Sequence, residues 1–305
     1  MFPIRRVDRD RAEAVETLGT KRKFWFSDGG TRLLFKAEER GTGEDWAEVV
    51  ACHLCRLLGL PHVEYELAEE YKGEQIIGPG VVCPNMAPRG TPLVLGNQLL
   101  LARDHRYPAK QRFRVRQHTV AGVSDMVGRL SVPTAEWMIN TPTAAETALG
   151  VFSGYIMLDA WIANQDRHHE NWAALWVGGH FHLAPTYDHG AALGRNLTDV
   201  ERNERLTTKD RNRTVVAFAE RGRSAFYLDE DAGKPLGTLE AFDEFADLVP
   251  AAKIGWLERL AEVPKAAVQA ILEEVPNKRM SDVTKAFTMG LLLVNQHRLL
   301  RNLSI

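Results

Sequence analysis

Residues 158–175 read "LDAWIANQDRHHENWAAL", in which eight polar residues, "NQDRHHEN", stand between two apolar runs. Burying such a group is costly unless its members satisfy one another or meet a ligand. The stretch that follows, "WAALWVGGHFHLAPTYDHG" (172–190), carries the hairpin signal Gly178-Gly179. If that pair is central, paired positions sum to 357, Asn171 faces Thr186, and Asp188 returns beside Asn171. Two oxygen donors at a hairpin mouth suit magnesium, a hard cation that takes one or two protein ligands plus phosphate oxygens. Asp166 precedes Asn171 by five positions. The Asp and Asn of a kinase catalytic loop have the same offset, the first receiving the acceptor proton and the second holding a metal.

Upstream, "TPTAAETALGVFSGYIMLDAWIAN" (141–164) predicts a long helix that delivers the chain into the polar group. Thr143 and Glu146 read as its capping box, and Leu149, Phe152, Ile156 and Trp161 as its core stripe. Nearer the N-terminus, "TLGTKRKFWFS" (17–27) offers a glycine between threonines and then an aromatic strand, with a turn at "DGG" (28–30). The returning strand, "TRLLFKAEE" (31–39), places Lys36 at the end of an apolar run. A helix follows in "EDWAEVVACHLCRLLGLP" (44–61), where Trp46, Val50, Leu54, Leu57 and Leu58 recur at helical spacing. Glu48 falls on an otherwise apolar arc between Cys52 and Cys55, so it points inward and needs a cation. Glycine loop, strand lysine and inward helix glutamate come in the order that holds ATP phosphates in protein kinases.

"VEYELAEEYKGEQIIGPGVVC" (63–83) alternates and is broken by "KGE" and "GPG", giving two or three more strands. Four helical patterns fill the last third: "LEAFDEFADLV", "AKIGWLERLAEV", "KAAVQAILEEV" and "SDVTKAFTMGLLLVNQHRLLRNL". The expected fold class is α+β and bilobal, protein-kinase-like. A small antiparallel-sheet N-lobe with one helix (1–90) binds nucleotide, and a mainly helical C-lobe (91–305) carries the catalytic residues.

"NQDRHHENW" followed by "LAPTYDHG" resembles the Asn-x-Asp-Arg-His-x-x-Asn and Tyr-Asp elements of the HipA family, serine/threonine kinases related in fold to protein and phosphatidylinositol kinases. "LLFKAEE" and "AEVVACHLCRLLGLP" are similar to that family's lysine strand and acidic helix. The resemblance spans roughly residues 18–194 and implies an ATP- and Mg2+-dependent kinase. It makes Asp166 the catalytic base, Asn171 and Asp188 the magnesium ligands, Lys36 the phosphate ligand and Glu48 the residue that orients it. Gly19 and Thr20 would belong to the nucleotide loop, and Pro84 to Met86 to the region of the adenine hinge. The family often autophosphorylates a loop serine, whereas this loop offers Thr17 and Thr20. About eighteen residues precede the loop, so the family's small N-terminal subdomain is absent or supplied by another chain. A protein substrate with a Ser/Thr acceptor, a translation factor as one target, and an antitoxin partner are further implications.

Composition narrows the remaining classes. The 305 residues are 45% hydrophobic with a formal net charge of -2, which suits a globular chain and gives no global attraction to nucleic acid or an anionic membrane. Neither the N-terminus nor "MGLLLV" (289–294) reads as a signal peptide or membrane span, and three cysteines cannot make a disulfide framework, so a cytoplasmic location is expected. "CHLC" (52–55) lacks a second metal-binding pair and reads as buried helix. Five of the ten histidines fall within 22 positions (168–189), which admits a metallohydrolase as an alternative. A small-molecule phosphotransferase would use the same Asp, Asn and Asp, and a non-catalytic nucleotide binder would usually lack one of them. The basic stretch "RDHRYPAKQRFRVRQH" (103–118) reads either as a solvated loop or as a rim that recruits an acidic protein or one bound to RNA, and "RNLTDVERNERLTTKDRNR" (195–213) occupies the place of an activation segment.

Overall fold

The computed structural model describes residues 1–16, 21–87 and 90–301. Thr17, Gly19 and Thr20 of the expected nucleotide loop lie outside the described residues. The N-terminal half is built on a sheet of β1 (Ile4–Asp8), β2 (Ala14–Val15), β3 (Lys23–Asp28), β4 (Thr31–Ala37), β5 (Glu66–Lys72) and β6 (Gln75–Pro84), in the order β1-β5-β6-β4-β3-β2. Its pairings are antiparallel except at the edge, where β1 runs parallel to β5.

Period-two alternation sorts β4 onto two faces. Phe35 and Ala37 pack with Phe24, Phe26 and Val82 on one face. Leu34 joins Val49, Cys52, Tyr65 and Val81 on the other, beneath α1 (Glu44–Leu58). Lys36, two residues on from Leu34, therefore faces the helix. Gly80 of β6 has to be glycine, because a Cβ there would lie 2.4 Å from the Lys36 carbonyl oxygen and 2.7 Å from the Phe35 ring. Helix α1 ends at Gly59, in the left-handed region at φ 72°, with Gly59 N–H donating to Arg56 O and Leu60 N–H to Cys55 O.

A second sheet has the order β7 (Leu93–Leu95), β8 (Ala173–Val177), β9 (His180–Leu183). The β8–β9 hairpin turns at Gly178 and Gly179, both at positive φ, and Ala174 pairs with Leu183 in the expected register. The register continues through Ala184 N–H donating to Ala173 O at 3.0 Å and stops there, so Asn171 does not pair with Thr186 as the register predicted. Thr186 pairs instead with the loop after α1, accepting from Val63 N–H at 3.0 Å and donating to Pro61 O at 2.9 Å.

Ten α-helices are present among the described residues, and no helix of these residues is long and apolar enough to cross a membrane. The central one is α4 (Ala148–Trp161), packed against α7 (Thr238–Ala246), α8 (Pro250–Ala261) and α10 (Asp282–Leu300), with α9 (Lys265–Glu274) alongside α10. Shorter helices α2 (Gly96–Arg103), α3 (Val120–Val127), α5 (Asp199–Thr207) and α6 (Val215–Glu220) complete the set. Helix α4 starts later than its sequence predicts. Thr147, not Thr143, is the cap, its Oγ1 accepting from Gly150 N–H at 3.0 Å. The residues before it make a tight turn, with Ala145 N–H donating to Pro142 O at 2.9 Å.

Gly154 lets α8 approach α4, since a Cβ there would lie 2.4 Å from Trp256 Cε2. That ring is pinned by Trp256 Nε1 donating to Gly150 O at 2.8 Å. Gly154→Ala should gain about 1 kcal/mol in helix propensity but force a shift of a fixed indole, costing roughly 1–3 kcal/mol or more. The expected outcome is a lower urea midpoint; a midpoint equal to or above the parent's would contradict the packing argument.

Candidate active site

Strand β4 and helix α1 bring Lys36 and Glu48 together, with Nζ 3.3 Å from Glu48 Oε1. The same Nζ lies 3.0 Å from Asp188 Oδ1 and 3.2 Å from Tyr65 Oη, so one buried ammonium serves two carboxylates and a phenol. Burial opposes the charge on Lys36, but Asp188 and then Glu48 more than offset it and hold its pKa well above the lysine range. Asp188 is held well below the carboxylate range: burial works against it, and Lys36, Lys23 and Lys21 outweigh burial. Glu48 is pushed up by its burial, with Lys36 pulling the other way. Its second oxygen accepts from His189 N–H at 2.8 Å, which ties α1 to the segment bearing Asp188.

The polar group after α4 is organised by Arg167, whose side chain is buried. Arg167 donates to both oxygens of Asp159 on α4, at 2.7 and 2.8 Å, and to the carbonyls of Asn171 at 2.9 Å and Tyr187 at 3.4 Å. Asn164 closes the turn, donating to Asp159 at 2.8 Å and accepting from Asp166 N–H at 3.2 Å. Asn171 Nδ2 donates to Asp166 O at 2.5 Å, which leaves its Oδ1 for another partner. Three backbone positions here are strained: Ala163, Asp188 and Leu193 lie at φ 52°, 60° and 61° although none is glycine.

Lys36, Asn171 and Asp188 line one cavity of about 400 Å³. Its other end is apolar, walled by Leu34, Val63 and Met86, with Pro84 and Asn85 from the segment expected to form the adenine hinge. Volume, apolar end and charged end match a nucleotide-sized site. Asp188 carboxylate and Asn171 amide oxygen are the hard donors that magnesium takes, so the donor set fits that ion. Asp166 faces a neighbouring cavity of about 180 Å³, shared with Asp188 and with Lys21, Lys23, Arg112 and Arg195. Burial, followed by the charge of Asp188, pushes the Asp166 carboxyl up to about 6. A group titrating there is poised to take a proton near neutrality.

The structure thus brings Lys36, Glu48, Asn171, Asp166 and Asp188 around adjoining spaces. Several residues beside them were not singled out for the site from the sequence. Lys23 pairs with Lys36 in the β3–β4 register and lines the larger cavity. Tyr65 sits against Lys36, and Arg112 stands 3.6 Å from Glu170 and 3.5 Å from His168. Asp159 had a legible signal, a carboxylate inside the apolar run "YIMLDAWI". The clustered histidines serve as packing and hydrogen-bonding groups. His169 Nδ1 lies 2.8 Å from Tyr107 Oη, His182 Nδ1 2.7 Å from Val132 O, and His189 Nε2 2.8 Å from Thr186 Oγ1. Among the described residues the metal-sized donor group is Cys52, His62 and Glu64, where Arg56 already pairs with both Glu64 oxygens.

The fold is that of kinases of the HipA type. A Helicobacter pylori proinflammatory kinase, CtkA, superposes with a TM-score of 0.72 at 17% identity, covering 98% of this chain and 99% of that one. HipA of the Shewanella oneidensis MR-1 toxin–antitoxin system superposes with a TM-score of 0.57 at 11% identity, covering 95% of this chain and 65% of that one. No protein-family model matches the sequence, and no curated protein is similar to it.

Holding Asp166 ionised costs the folded state stability. Its folded pKa of about 6 lies above the ordinary value of 3.8, so the folded chain binds more protons than the unfolded one between those values. Stability from this group is therefore greatest below pH 4 and is lost as pH rises through 6. Asp166→Asn should melt at a higher temperature than the parent at pH 7.5, with the gap closing as pH falls toward 4. Parallel melting curves across that range test it, and a variant less stable than its parent at pH 7.5 would refute it.

Proposed function

We propose that this chain is an ATP- and magnesium-dependent kinase that transfers the γ-phosphoryl group to a Ser/Thr hydroxyl of a protein. The observation that carries the reading is the convergence of Lys36, Asn171 and Asp188 on one nucleotide-sized cavity with Asp166 at its edge. Lys36, positioned by Glu48, binds phosphate oxygens. Asn171 and Asp188 would hold magnesium, which when bound neutralises phosphate charge. Asp166 orients the acceptor hydroxyl and takes its proton as the oxygen attacks. Arg112, Lys21 and Arg195 surround the space between Asp166 and Asp188, where charge develops on the transferred group. The likeness in fold to a protein named as a kinase supports the activity. HipA of a toxin–antitoxin system was solved together with HipB and operator DNA, which supports an antitoxin as the regulatory partner here.

Base and metal ligand fail differently. Asp166→Asn keeps size but removes the proton acceptor, so transfer should fall by a factor on the order of 10² to 10⁴ with ATP affinity unchanged. Asp188→Asn should lose transfer and magnesium-dependent ATP binding together. Calorimetric titration of both variants with and without magnesium, beside a transfer assay on a host lysate with labelled ATP, separates the roles. Full transfer by Asp166→Asn, or normal magnesium-dependent binding by Asp188→Asn, would sink the assignment.

A further inference from the structure

The most basic stretch of the chain, residues 103–118, has half of its cations committed. Arg103 pairs with Asp125, Arg106 with Asp104 and Arg112 with Glu170. Lys110, Arg114 and Arg116 are exposed and make no ion pair among the described residues. Arg114 is also held at φ 56°. Of the four non-glycine residues at positive φ among those described, Ala163, Asp188 and Leu193 flank or form the catalytic segments, and Arg114 is the fourth. Strain of this kind persists where surrounding structure enforces it.

The enforcement is visible. Gln111 Nε2 donates to the carbonyls of Phe113 at 3.0 Å and Arg114 at 3.2 Å, and Val115 is buried. His118 O accepts from Tyr227 N–H at 3.1 Å, anchoring the end of the stretch. Arg112, Phe113 and Arg114 so form one wall of a groove of about 300 Å³, with Asp166 and His168 at its base and Tyr227 on the far wall. Phe113 is 59% exposed at this lip, its ring edge-on to His168 at 5.8 Å. The acidic run nearby, residues 229–231, does not line the groove, and Glu230 acts on Arg106 instead.

We propose that this groove is the acceptor site and that it takes a Ser/Thr embedded in an acidic polypeptide segment, with Arg114 facing acidic side chains next to the acceptor and Phe113 packing on its chain. The inference rests on the kinase reading, since Asp166 fixes where the hydroxyl must come. Charge complementarity selects the occupant: a preformed lip with an unpaired guanidinium favours carboxylates and repels lysine. A nucleic-acid ligand would call for a basic track with phosphate spacing, whereas these cations crowd one rim leading to one carboxylate.

The test uses the whole chain with magnesium and a non-hydrolysable ATP analogue. Two fluorescent peptides are titrated by anisotropy, alike except that a central serine is flanked by four glutamates or by four lysines, beside a labelled single-stranded oligonucleotide. The glutamate peptide should bind at least tenfold tighter than the lysine peptide and weaken with added salt. Arg114→Glu should reverse that order, and Arg114→Gln should abolish the preference, while the thermal shift with ATP and magnesium stays that of the parent. Equal binding, tighter binding of the lysine peptide or the oligonucleotide, no peptide binding, or an Arg114→Glu variant with unchanged preference would overturn the proposal. Failure of the kinase reading looks different: the glutamate peptide binds yet stays unphosphorylated when ATP and magnesium are supplied.

Discussion

The site depends on one buried ion pair, Arg167 with Asp159. Both oxygens of Asp159 accept from the guanidinium, and the remaining Arg167 donor points at the carbonyls of Asn171 and Tyr187. Three separate segments, the central helix, the polar loop after it and the strand end before Asp188, are therefore fixed to one planar group. A guanidinium suits this because its donors form a rigid fork, which an ammonium could not supply. Removing either partner would leave a buried charge uncompensated, at a cost of about 3–5 kcal/mol. Its worth is better measured in geometry, since a displacement of Asn171 relative to Asp188 would separate the two donors that share the cavity.

A second strut joins α1 to the same region. Glu48 accepts from His189 N–H while pairing with Lys36, so α1 is held against both the sheet and the segment after Asp188. Arg195 continues the link, meeting Glu44 at the start of α1 at 2.7 Å. Rotating α1 would thus move Lys36, His189 and Arg195 together. Lys36 at present bonds Asp188 directly. Among the described residues only Oδ1 of Asp188 is engaged, so its second oxygen would be left for a divalent ion, while Tyr65 Oη and Glu48 hold the ammonium in place.

The local elements were legible where one physical rule governed. The hairpin register followed from Gly178-Gly179, the inward Glu48 from helical spacing, and the last four helices from their apolar periods. The site's main groups were legible too, because a carboxylate or lysine inside an apolar run has to find a partner. What failed were junctions. The cap of α4 moved to Thr147 because Pro142 begins a turn, and Thr186 left the hairpin because the loop after α1 takes both its backbone N–H and its carbonyl. The parallel strand β1 was not seen, since "IRRVD" alternates poorly and pairs with a strand more than sixty positions away. Arg112 was hidden among five other cations, and only the fold shows which of them turns toward Asp166.

Strain and desolvation accumulate in the same few residues. Asp188 sits in a left-handed conformation, Asp166 holds a charge that its surroundings disfavour, and Lys23 has its pKa lowered by burial and then by Lys36. Each of these would be relieved by a neutral residue or a glycine, and each lines one or both of the adjoining cavities. Lys23 and Lys36 face each other across neighbouring strands with two carboxylates to share between them. The cavity they line also carries Arg112, Glu16 and Glu170, so its charges are matched at one end while Leu34, Val63 and Met86 wall the other. Strain and desolvation concentrated in so few residues are what functional sites carry and what a packed core avoids.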